Sequence, residues 1–296
     1  MFTDPALTAL LAVVRSGSFE AAAAALGVTP SAISQRIKAL EERVGVVLVR
    51  RGQPCEATEA GQRLCRHGEA VALLEQTLAA DLGQSTRPEP LRIAVNADSL
   101  ATWFLPAMAA QEGLLFDVVV DDQDHSAGWL RRGEVMAAVS SHGAPVQGCD
   151  SHPLGALRYV ATASPAFAAR HFPKGVTAET AALAPGMTFN MRDGLQKRWL
   201  KRELGREQPF PSHFLPSTQA FVEGALRGMG WGMNPEALVA DHLRAGTLVA
   251  LGREPVLEVP LHWQFNRLVR APLASLTRAV KAAAGSLQAP PPKEHT

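Results

Sequence analysis

The sequence predicts an α/β protein in three parts: a small helical module closed by a strand, one long helix, and a larger domain of alternating strands and helices. Three observations predict it. Residues 1–58 are alanine-rich with apolar residues at helical spacing, residues 58–84 read as one long helix, and from Leu91 onward β-branched runs alternate with helical segments. The 296 residues suffice for two or three cores, and 47% hydrophobic with 19% charged residues is a globular composition.

In the first part, Phe19 to Leu26 forms a short helix that Ser18 caps and Gly27 stops. Thr29 and Pro30 open a second helix, because threonine caps well and proline at the first position loses no hydrogen bond. Ile33, Ile37 and Leu40 make its apolar stripe, leaving Ser31, Ser34, Gln35 and Lys38 on the other side. This is a helix-turn-helix, whose second helix enters the major groove of DNA. The strand Val46–Val49 then leads into Arg50 and Arg51 at a Gly/Pro turn, a wing that sets positive charge beside phosphates. Up to Thr58 there are six basic and five acidic residues, so DNA binding is inferred from placement, not net charge. A helical hairpin alone would suit an ordinary amphipathic domain; the strand and arginine turn after it favour the winged form.

In the helix over 58–84, Leu64, Val71, Leu74 and Leu78 are spaced by seven, three and four, a short coiled-coil seam. At about 25 residues and ~38 Å it outruns the small module, which favours a dimer seam over packing within its own domain. Gly83 to Pro90 ends it.

The third part alternates Leu91–Ala97 with Ser99–Ala110 and Phe116–Asp121 with Ser126–Arg132, followed by Val135–Ser140, a parallel sheet with crossover helices. Ligands of such sheets bind beyond the carboxyl ends of the strands. Asp98 and Ser99 follow the first strand where a helix begins, and Ser217 and Thr218 open another helical run. Two such ends across a cleft would grip a carboxylate. The run Asp121-Asp122-Gln123-Asp124 ends the second strand on the same rim, as a site for a cation or as a solvated turn. Trp231, within Gly228–Gly232, reads as core.

Three cysteines at unrelated spacing give neither a disulfide framework nor a zinc pattern, and the nine histidines are scattered. There is no Gly-x-Ser-x-Gly and no phosphate-binding glycine loop. No catalytic residue, metal or cofactor is therefore expected. The start lacks a basic region before an apolar run, and no apolar run reaches membrane-spanning length; the expectation is a soluble cytoplasmic protein.

The stretch from Phe19 to Gly61, with Thr29-Pro30-Ser31-Ala32-Ile33-Ser34-Gln35-Arg36-Ile37-Lys38-Ala39-Leu40-Glu41 and Ala57-Thr58-Glu59-Ala60-Gly61, closely resembles the LysR-type transcriptional regulators. The length, linker and α/β remainder fit that family across the chain. The resemblance implies a winged helix-turn-helix over 1–58, a linker helix and hinge over 59–90, and an effector domain over 91–296. Two Rossmann-like subdomains, like those of periplasmic binding proteins, would make up that domain: 91–162 with 267–296, and 163–266. It further implies a homodimer or tetramer on double-stranded promoter DNA, with RNA polymerase as a potential partner. Thr29, Pro30, Ser31, Ser34, Gln35 and Lys38 carry over as DNA-facing positions.

Ala94–Trp103, Leu130–Val135 and Leu154–Tyr159 resemble the arginine/lysine-responsive branch, which senses basic amino acids and commonly activates a basic amino-acid exporter. The similarity extends over Phe167–Thr177 and is less regular from Thr188 to Ser212. Gln123 is neutral where some relatives would carry an acid. Lysine and arginine both stay open. On this reading Ser99, Thr102 and Thr218 are candidates for the effector carboxylate and Asp98 for its α-ammonium. Asp122, with Asp121 or Asp124 in reserve, would take the distal cation, and Trp103 would wall the stem. The alternatives are a LysR-type regulator of an uncharged or acidic metabolite and, more remotely, a two-lobed solute-binding protein.

Overall fold

Local capping signals fix the first three helices. In α1 (Pro5–Ser16), Asp4 accepts from the Ala6 N–H at 2.8 Å and Gly17 closes the helix at φ 68°. Ser18 caps α2 (Phe19–Leu26) and Gly27 ends it at φ 65°. Thr29 caps α3 (Pro30–Val44) through the Ala32 N–H at 3.2 Å. The computed structural model describes residues 4–83, 90–121 and 126–287. Leu10, Val13, Ile33, Ile37 and Leu40 bury together as the core of this module.

The wing is shorter than the sequence predicts. Only β1 (Val49–Arg50) and β2 (Glu56–Ala57) pair, antiparallel, while Val46 and Val47 are exposed. The approach to β1 is held by a side chain: Glu41 on α3 accepts from the Leu48 and Val49 N–H groups at 2.7 and 3.3 Å. That bond satisfies backbone donors that a longer ladder would have paired.

Helix α4 (Glu59–Asp81) is the predicted linker. Its N-terminal half packs on the first module through Leu64 and Cys65, whereas Ala70 and Leu73 join the core of the larger domain. Arg66 donates to the Arg131 carbonyl at 2.9 Å, and Glu69 pairs with Arg15 of α1 at 3.4 Å. Burial pushes the Glu69 carboxyl above its ordinary range, opposed by the Arg15 charge. Leu64 is thus held within its own protomer, Val71 is half-buried, and Leu74 and Leu78 stand 42% and 50% exposed.

The larger domain begins with β3 (Pro90–Asn96) and α5 (Ala97–Ser99), which runs through a π-helical turn at Leu100–Phe104 into α6 (Leu105–Ala109). There follow β4 (Leu115–Asp121), α7 (Ser126–Arg132), β5 (Ala137–Ser140) and the long β6 (Cys149–Ala163). Next come α8 (Pro165–His171), α9 (Ala178–Leu183), β7 (Gly186–Thr188), α10 (Leu195–Leu204), β8 (Ser212–Phe214), α11 (Thr218–Leu226), β9 (Gly232–Pro235) and α12 (Glu236–Arg244). The last elements are β10 (Val249–Ala250), β11 (Val256–Asn266) and α13 (Ala274–Ala283).

The main sheet runs β10-β6-β11-β5-β3-β4, with β9 also on β6. Strands β3, β4 and β5 are parallel, as the β-α alternation requires. Strands β6 and β11 pair antiparallel, with a register break between Leu261 and His262. One end of this pair joins β5, and the other joins β9 and β10. Both strands therefore run from one half of the domain to the other. Strands β7 and β8 form a separate parallel pair in the second half. Trp199, Trp231, Trp263 and Tyr159 fill the core, Trp231 as the sequence predicts.

Candidate effector site and nucleic-acid interface

Strands β3 and β4 end side by side, with Asn96 opposite Asp121. Asp98 follows one residue beyond α5's first position, so two carboxylates stand at the carboxyl edge of a parallel sheet. The other half supplies the facing wall. Together Ala97, Asp98, Asp121, Phe189, Asp193, Leu195, Gln196, Thr218, Phe221, Met233 and Pro235 line a cleft with about 430 Å³ of empty space, part of it open to solvent. Three carboxylates line it, and none of the lining residues is basic.

Each carboxylate has a different environment. Asp98 accepts from the Tyr159 hydroxyl at 2.8 Å and the Thr218 hydroxyl at 2.6 Å. Burial raises its pKa above the carboxylate range; the Thr218 and Tyr159 hydrogen bonds oppose the rise and the Asp193 charge adds to it. Asp193 braces its own loop, accepting from the Leu195 and Phe189 N–H groups at 2.9 Å each. Asp121 accepts from the Trp129 indole N–H at 2.9 Å and from the Arg192 guanidinium at 3.2 Å. Beside them Gln196 is 1% exposed, and neither atom of its amide has a protein partner.

Of the residues singled out by sequence, the structure gathers Asp98, Asp121 and Thr218 at the cleft. Ser217 caps α11 through the Ala220 N–H at 3.3 Å. Ser99 is fully buried inside α5, not at its start, and its hydroxyl has no partner. The Thr102 hydroxyl is committed to the Asp98 carbonyl at 2.6 Å. Trp103 lies in the core, edge-on to Phe104 at 5.4 Å, and does not line the cleft. Asp122, Gln123 and Asp124 lie outside the described residues. Sequence reasoning missed Gln196, Asp193, Arg192 and Tyr159. Asn190 and Asp193, turn formers just ahead of α10, are the one signal that could have marked the loop.

On the first module, Thr29, Pro30, Ser31, Gln35 and Lys38 are exposed and Ser34 is half-buried, along the side of α3 opposite Ile33 and Ile37. Arg50 and Arg51 are exposed, and the Arg51 guanidinium lies 5.1 Å from the Phe19 ring centroid. Lys38 reaches Glu42 at 3.7 Å on an open surface, where such a pairing is weak.

A winged helix-turn-helix joined by a long helix to a two-lobed domain with an acidic cleft is the architecture of a ligand-controlled DNA-binding regulator. Residues 5–62 match the family "Bacterial regulatory helix-turn-helix protein, lysR family", and residues 84–288 match the "LysR substrate binding domain". The chain belongs to the LysR family of transcriptional regulators. It is 47% identical over 285 residues, 96% of this chain and 94% of the relative, to the "HTH-type transcriptional regulator LysG" of Mycobacterium tuberculosis. Among solved structures it resembles ArgP from Mycobacterium tuberculosis, with TM-score 0.86 and 46% identity over 98% of this chain and all of that one. It also resembles full-length LysG from Corynebacterium glutamicum with bound effector Arg, with TM-score 0.75 and 38% identity over 98% of this chain and all of that one. No helix of the described residues is long and apolar enough to cross a membrane.

Proposed function

We propose that a basic amino acid, arginine or lysine, binds in the cleft and controls how this regulator engages promoter DNA. The observation that carries the reading is the charge of the cleft: three lining aspartates and no lining cation. A buried carboxylate such as Asp98, met by two hydroxyls, is costly to ionise, and a cationic ligand relieves that cost. The arginine-bound relative supports the same choice. An acidic metabolite would add charge of the wrong sign.

In this reading the effector's α-ammonium sits against Asp98 and its distal cation against Asp121. The α-carboxylate meets the N-terminus of α11 at Ser217 and Thr218, where backbone N–H groups and the helix dipole favour an anion. Gln196 can serve both ends of the amino-acid group, since its amide both donates and accepts. Ser99 and Thr102 support the turn beneath. Trp103 contributes to the wall through packing, not contact.

For DNA, we assign base reading to Ser31, Ser34, Gln35 and Lys38 on α3, entry of the helix to Thr29 and Pro30, and phosphate contacts to Arg50 and Arg51. Two copies joined through Leu74 and Leu78 would present two such helices to a two-part operator. A basic amino-acid exporter gene is the target that the family resemblance supports.

Isothermal titration calorimetry tests the effector. Arginine or lysine binds the wild-type protein at micromolar to millimolar concentration, while leucine and glutamate bind at least tenfold more weakly. Equal binding of all four, or of glutamate alone, refutes the basic-effector reading and leaves family membership standing.

A further inference from the structure

Arg192 is the one cation that touches a cleft carboxylate among the described ion pairs. It belongs to the loop between β7 and α10, on the half of the domain opposite Asp121. Its backbone is fixed: the Arg192 N–H donates to Asn190 at 2.8 Å, and the neighbouring Asp193 carboxylate holds both ends of the turn. Its side chain is more open. The guanidinium reaches Asp121 through one contact at 3.2 Å, with the arginine side chain 60% exposed and the aspartate side chain 10% exposed. A buried carboxylate, already anchored on its other oxygen by Trp129, is thus met by a guanidinium arriving from solvent.

Building on the basic-effector reading, we propose that Arg192 is a tethered stand-in for the effector: its guanidinium occupies the Asp121 oxygen that the effector's distal cation takes on binding. The chemistry is like for like, since a guanidinium or ammonium from the ligand replaces a guanidinium from the protein. The Asp121 carboxylate then has a cationic partner in both states, while Asp98 gains one only with the effector. Arg192 therefore sets the affinity threshold, because each effector must displace it. It also sharpens selectivity, because an amino acid with no distal cation cannot compensate Asp121 once Arg192 is displaced.

The stand-in predicts an unusual sign. Arg192→Met removes a competitor, so arginine and lysine should bind about two- to fivefold more tightly, the scale on which a partly exposed ion pair competes. Arg192→Lys should fall between wild type and Arg192→Met. In an Asp121→Asn background the Arg192→Met gain should vanish, since the two side chains act on one interaction. Calorimetry on the full-length wild type, three single variants and the double variant decides it, with thermal melts confirming that each variant folds. Arginine affinity unchanged or weakened in Arg192→Met, or a gain that persists in the double variant, overturns the stand-in and leaves the basic effector in place. If wild type and Arg192→Met both fail to bind arginine and lysine, the basic-effector reading falls and the stand-in falls with it.

Discussion

Asp98 is the residue on which the local chemistry of the cleft and the proposed effector binding meet. Its carboxyl is held above the ordinary range by burial while two hydroxyls donate to it. A group whose folded pKa is raised binds its proton more tightly in the folded protein. Its contribution to the stability of the empty protein is therefore full below the unfolded value and is lost as pH rises through the raised value. An effector cation reverses the preference and favours the ionised form. Affinity for arginine should accordingly weaken as pH falls through that raised value, with protons released on binding. Asp98→Asn should bind at least tenfold more weakly at neutral pH and lose this pH dependence, which calorimetry in buffers of different ionisation enthalpy measures directly. At the DNA face, a lost base contact costs about 1–3 kcal/mol of discrimination. Gln35→Ala should thus narrow the gap between operator and random DNA, whereas Arg50→Ala should weaken both alike and lower the salt slope. A salt-matched gel shift separates the two behaviours.

Elements built from local signals are legible in the sequence. The caps at Ser18 and Thr29, the stop at Gly27 and the helix over 59–81 follow from capping chemistry and periodicity, which act within a few residues. The parallel strands and crossover helices follow from alternation in the same way. The cleft is half legible. Asp98, Asp121 and Thr218 sit where strand and helix ends have to fall, but Gln196 and Asp193 share a cleft with Asp98 and Asp121 only once the second half of the domain has folded opposite the first. Trp103 departs from expectation because an aromatic near a strand end is drawn into the core by its apolar area. The linker shows the same limit: the heptad spacing marks Leu64 and Leu78 alike, yet Leu64 is covered within its own protomer while Leu78 is half-exposed. Leu78→Asp is therefore the sharper test of a dimer seam. In a single protomer the aspartate meets water at little cost; in a dimer it buries an unpaired charge, costing several kcal/mol. Light scattering should show a lower mass for Leu78→Asp with an unchanged melting temperature for each protomer. An unchanged mass would move the interface elsewhere.

At the scale of the whole molecule, the helix that carries the DNA-binding module is also part of the effector domain's core. Ala70 and Leu73 are buried against that domain, Arg66 binds the carbonyl of Arg131 at the end of α7, and Glu69 ties Arg15 of the first helix to the same junction. This contiguous packing is a route by which a change in how the two halves of the cleft meet would reach the DNA-binding module. The coupling is a free energy between two sites, typically a five- to 150-fold change in affinity. The central claim is that a basic amino acid in the acidic cleft sets the state in which the helix-turn-helix meets DNA. It is tested most directly by quantitative footprinting of the full-length protein on its own promoter, with and without saturating arginine or lysine, for wild type and Asp121→Asn. The account predicts that either amino acid changes operator affinity at least fivefold or alters the protected stretch. The same additions should leave Asp121→Asn unchanged, while its effector-free binding matches wild type. Identical footprints with and without both amino acids in the wild type, or an undiminished response in Asp121→Asn, would contradict it.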